Sequence, residues 1–71
     1  MPAERIAIVV NGEPREVAAG ASVADFLAAI GRDPRSVAVE LNGDILPRAR
    51  YAARPLAAGD RIEVVHFVQG G

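Results

Sequence analysis

Two Asn-Gly pairs, Asn11-Gly12 and Asn42-Gly43, restrict what this 71-residue chain can become. A two-residue type I′ turn needs positive φ at both central positions, and Asn-Gly meets that demand at low steric cost. Each pair sits between apolar stretches. Before the first, Ile6, Ile8 and Val10 alternate with Ala7 and Val9, so Arg5 to Val10 reads as a strand with one strongly apolar face. After it, Pro14 to Val17 is the short return strand. Pro14 has no amide hydrogen for a ladder bond, which places that strand at an edge. Before the second pair, Val37, Val39 and Leu41 share one face of another strand. After it, Ile45-Leu46 leads into Pro47, a brief second edge strand.

Between the hairpins, the spacing predicts one helix. Ser22 reads as its N-cap, with Asp25 three residues on as capping-box partner and as a charge suited to the helix N-terminus. Val23, Phe26, Leu27 and Ile30 recur at helical spacing and form one apolar stripe. Gly31 is the C′ residue, and Pro34 forbids continuation. Arg48 to Pro55 shows no period, and Tyr51 and Leu56 pin it to the core. Ala58-Gly59-Asp60 is a turn, and Arg61 to Val68 is the last strand, with Ile62 and Val64 facing in. For those two to reach the core, the last strand sits beside the first, which is then the central one. One helix on one face of a small sheet is an α+β architecture. Residues 1–71 form a single domain, whose 68–71 stretch is a flexible tail.

The inventory excludes most chemistry. There is no Cys, hence no disulfide, no thiolate nucleophile and no Cys-based metal site. There is no Lys for a phosphate-binding loop or a Schiff base. His66 is the one histidine, too little for a metal cluster, and it reads as a structural or partner-facing residue. Ser22 is explained as a cap, and nothing supports a nucleophilic role for Ser36 with His66. The chain is therefore not expected to be an enzyme. A formal net charge of −1 gives no general attraction to nucleic acid or anionic membrane. No apolar run approaches bilayer length, and Met1 to Arg5 lacks the pattern of a signal peptide. These features predict a cytoplasmic protein with no nucleic-acid or membrane partner.

Two surfaces stand out. Arg48, Arg50 and Arg54 make a local basic cluster, of the kind that is usually a solvated loop face. In the last strand, alternation turns Glu63, Val65 and Phe67 outward if Ile62 and Val64 turn in. One short helix covers one sheet face, so Val65 and Phe67 are candidates for an exposed apolar docking patch. The sequence then runs through Val68-Gln69 to Gly70-Gly71. Without side chains, two glycines can slide where other residues would clash. Three or four extended residues carry a terminal carboxylate roughly 10–13 Å past the strand's anchored part.

Three stretches carry a family resemblance. They are Val10-Asn11-Gly12-Glu13-Pro14, the run from Val37 through Asn42-Gly43-Asp44 to Arg48, and Gly59-Asp60-Arg61 through Phe67-Val68 before Gly70-Gly71. Together they resemble the ThiS sulfur carriers of thiamin biosynthesis over essentially the whole chain. The resemblance implies a ubiquitin-like β-grasp fold, a small mixed sheet packed against one helix. It implies that a ThiF-type enzyme adenylates the Gly71 carboxylate with ATP, and that sulfur from a cysteine desulfurase then converts it to a thiocarboxylate. A ThiG-type thiazole synthase would take up that sulfur. Gly71 is then the modified residue, Gly70 and Gln69 form the tail, and Val65, Phe67 and Val68 are partner-binding. No cofactor is held stably, since ATP belongs to the activating partner. Gln69 departs from the family, where many members carry a third glycine. Alternatives are a MoaD-like subunit of molybdopterin synthase, a ubiquitin-like modifier, and an S4-like RNA-binding module. The MoaD type is usually longer, and the absence of Lys excludes lysine-linked self-chains. The negative charge and a helix without Lys or Arg argue against RNA binding.

Overall fold

The computed structural model describes residues 4–67. Both Asn-Gly pairs form the expected turns, with φ of 49° and 84° at Asn11 and Gly12 and of 55° and 90° at Asn42 and Gly43. They join β1 (Arg5–Val10) to β2 (Glu13–Ala18) and β3 (Val37–Leu41) to β4 (Asp44–Leu46), each pair antiparallel. The strand β5 (Arg61–His66) inserts between the hairpins, parallel to β1 and antiparallel to β3. The sheet order is β2-β1-β5-β3-β4. As expected, Pro14 lies on an edge strand and β4 forms the other edge. The last strand does lie beside the first. However, β5 and not β1 is the middle of the sheet, because both hairpins bond to it.

One helix, α1 (Val23–Ala29), crosses one face. Its N-terminus is closed by a full capping box. The Ser22 hydroxyl accepts from the Asp25 amide at 3.0 Å, and the Asp25 carboxylate accepts from the Ser22 amide at 2.9 Å. Its C-terminus closes through Gly31, at φ +73°. The Gly31 amide donates to Ala28 and the Arg32 amide to Leu27, the paired bonds of a Schellman cap. Val23, Phe26 and Leu27 are buried by the helix, whereas Ile30 is half-buried at the rim.

The core beneath it combines Ile8, Val17, Val37, Val39, Leu41 and Ile62 from the sheet with Tyr51 and Leu56 from the return segment. That segment, which shows no period in the sequence, contains a 3₁₀ stretch, Arg48–Ala53. Tyr51 is its one buried residue, and both Tyr51 and Leu56 anchor the segment as expected. No helix of the described residues is long and apolar enough to cross a membrane. A mixed five-stranded sheet grasping one helix, with a parallel central strand last in sequence, is the ubiquitin-like β-grasp arrangement.

Candidate functional site

The central strand is held from both sides by the asparagines of the two turns. On the β1 side, the Asn11 side chain accepts from the Val64 amide at 2.8 Å and donates to the Val64 carbonyl at 3.3 Å. It thereby acts as one further rung of strand where the β1 backbone turns away. On the β3 side, the Asn42 carbonyl oxygen Oδ1 accepts from the Arg61 amide at 2.9 Å. Its Nδ2 donates to Asp60 at 3.0 Å. Asp60 is 7% exposed, also accepts from the Ala57 amide at 2.8 Å, and lies 3.5 Å from the Arg54 guanidinium. So Arg54 leaves the solvated basic cluster to neutralise a buried carboxylate. The start of β5 is thus fixed by a buried polar cluster and its later part by an amide clasp.

Beyond that clasp, β5 remains bonded to the β3 side. The Phe67 amide donates to Ser36 at 2.8 Å, so Phe67 keeps the strand register past His66. Ile62 is buried and Val64 half-buried against the core. On the opposite face, Val65 is 58% and Phe67 47% exposed, in agreement with the alternation. Exposure alone assigns them no partner. Ile45, at 78% exposure, extends the same outward face from β4. The sequence reading did not single it out, although a strand as short as Ile45-Leu46 can turn one of the two inward and must turn the other out. His66 is exposed and faces a groove of about 310 Å³ bordered by Asn11, Arg15, Ile30 and Arg32. Val68, Gln69, Gly70 and Gly71, the remaining residues expected at the site, lie outside the described residues. Among the described residues no group of three or more His, Asp or Glu side chains is placed to hold a metal ion.

This arrangement is a central strand bonded on both sides, with an exposed apolar face at Val65 and Phe67. Comparison with known proteins shows what the chain is similar to. The family model described as "ThiS family" matches residues 8–71. The thiazole synthase of Paramagnetospirillum magneticum is 42% identical over 64 residues, which is 90% of this chain but 20% of that protein. The thiazole synthase of Magnetococcus marinus matches likewise at 44%. The chain thus spans about a fifth of the length of these two relatives. The sulfur carrier protein ThiS of Thermus thermophilus is 39% identical over 62 residues, covering 87% of this chain and 95% of that one. The crystal structure of the thiamine biosynthesis protein ThiS from Geobacter metallireducens superposes with a TM-score of 0.79 at 35% identity, over 93% of this chain and all of the other. On sequence and fold together, this chain belongs to the ThiS family of sulfur carrier proteins of thiamin biosynthesis.

Proposed function

We propose that this chain carries sulfur as a thiocarboxylate on Gly71. A ThiF-type enzyme joins the Gly71 carboxylate to the AMP part of ATP, releasing pyrophosphate. A carboxylate is a poor electrophile, and the mixed anhydride gives its carbon a good leaving group. The outer sulfur of a persulfide formed on a cysteine desulfurase attacks that carbon and displaces AMP, and a thiol reductant then cleaves the resulting S–S bond, leaving the thiocarboxylate on Gly71 and a disulfide on the reductant. Thiazole synthase then receives the sulfur. The observation that carries this reading is the family match, which extends through Gly70-Gly71. The chain also offers no thiol of its own with which the activated carbonyl could react. Thiazole synthase as acceptor is supported by the two synthases that contain a stretch similar to this chain. Docking of both partners falls to Val65, Phe67 and Val68, and Gln69 and Gly70 make up the tail that precedes Gly71.

The test is direct. The protein is incubated with the activating enzyme, ATP, a cysteine desulfurase with cysteine, and a thiol reductant, and the intact chain is weighed. The expected product has one sulfur in place of one oxygen at Gly71. A mass change located elsewhere, or none in the presence of an active enzyme, refutes the proposal.

A further inference from the structure

The outward sheet face contains an arrangement that folding alone does not favour. Glu40 of β3 and Glu63 of β5 are register partners, and both are exposed. Like charges directly opposite on neighbouring strands destabilise a sheet. Among the described residues, neither glutamate forms an ion pair. Arg61 shares their shallow depression of about 260 Å³, together with Asn42 and Gly43. One guanidinium against two carboxylates leaves that depression with a net negative charge. Its surroundings are apolar. Ile45 is the register partner of Glu40 on the far side, and Val65 follows Glu63 on the same face. Phe67 lies one step beyond Val65.

We propose that Glu40 and Glu63 jointly receive one arginine or lysine side chain of thiazole synthase, set within the apolar contact made by Ile45, Val65 and Phe67. This rests on the docking reading above and names the chemistry its partner must present. A cation between the carboxylates turns their repulsion into two attractions. A guanidinium suits the site best, because its planar fork can address two carboxylates at once. The apolar rim excludes water from the pair on docking, and such shielded central contacts dominate association. The same pair rejects surfaces that bring an acidic residue to this spot, so it also sets specificity.

The experiment measures binding of the chain to the separately purified thiazole synthase of its own organism across a salt series, for four forms: parent, E40Q/E63Q, E63Q alone and Phe67→Ala. The double variant is expected to melt no lower than the parent, since repulsion is relieved. It should nevertheless bind at least roughly fivefold more weakly, since an exposed ion pair already reaches about that much and this one is shielded on docking. Its affinity should also depend less on salt than the parent's, with E63Q intermediate. Unchanged affinity and salt dependence in E40Q/E63Q, with Phe67→Ala weakened, overturns the cation proposal and leaves the apolar docking reading standing. Unchanged affinity in all three variants overturns both. A melting temperature well below the parent's in E40Q/E63Q overturns the claim that the pair is repulsive in the free carrier.

Discussion

Asp60 shows how much of this fold is decided by single side chains. Its carboxylate is buried and accepts hydrogen bonds from Asn42 and from the Ala57 amide, beside Arg54. Truncation by Asp60→Ala strands two donors and a partly buried guanidinium. Unsatisfied buried groups cost about 1–3 kcal/mol each, so we expect a loss of at least that size in urea unfolding. An unchanged midpoint would mean that water replaces the carboxylate. Phe67→Ala is expected to behave in the opposite way. Phe67 is nearly half exposed, so its truncation should barely move the melting temperature. As a docking anchor it should weaken the complex with the activating enzyme by about 2 kcal/mol or more, as measured by calorimetry. A large stability loss with unchanged binding would assign Phe67 to the core. The outward direction of Val65 and Phe67 was legible because alternation in a strand is a local rule. The roles of Asn11, Asn42 and Asp60 were not. Asn11 bonds to Val64, 53 positions away, and no local pattern specifies a side-chain bond across that distance.

At the scale of elements, the helix was the most legible part, since both its caps are local chemistry. Its buried stripe was read correctly at Val23, Phe26 and Leu27, while Ile30 is half-buried at the rim. The two ends of the stripe should therefore differ. Leu27→Ala removes a fully buried side chain and should cost roughly 2–5 kcal/mol; Ile30→Ala should cost clearly less. Equal losses in chemical denaturation would show that the helix end packs more tightly than its exposure indicates. The 3₁₀ stretch from Arg48 to Ala53 escaped the sequence reading. A short helix with Tyr51 as its single buried residue creates no periodicity to detect. The identity of the central strand escaped for a different reason. Alternation tells which face of β5 is buried, but two apolar-faced strands compete for the centre, and the hairpins decide by bonding on either side of β5.

For the whole molecule, the proposed chemistry on Gly71 makes the sheet a mount for the end of the chain. Deleting Gly71 retracts the reacting carboxylate by about 3.3 Å. Held groups lose on the order of a hundredfold in rate for 1 Å of misplacement, so sulfur loading should effectively stop while the fold is unchanged by circular dichroism. Gly70→Val should also block loading, since the activating enzyme must close around bare backbone. If the chain lacking Gly71 is converted as fast as the parent, sulfur is carried elsewhere. The insertion of β5 between the two hairpins also has a consequence for biosynthesis. A ribosome releases β1, β2, the helix, β3 and β4 before the strand that joins them. Until Arg61–His66 emerges, the two hairpins have no shared partner and the core lacks Ile62, one of its most deeply buried residues. A nascent chain is therefore unlike the finished carrier until its central strand has been made. An activating enzyme that recognises the assembled face of β3, β4 and β5 would find nothing to bind on an incomplete chain.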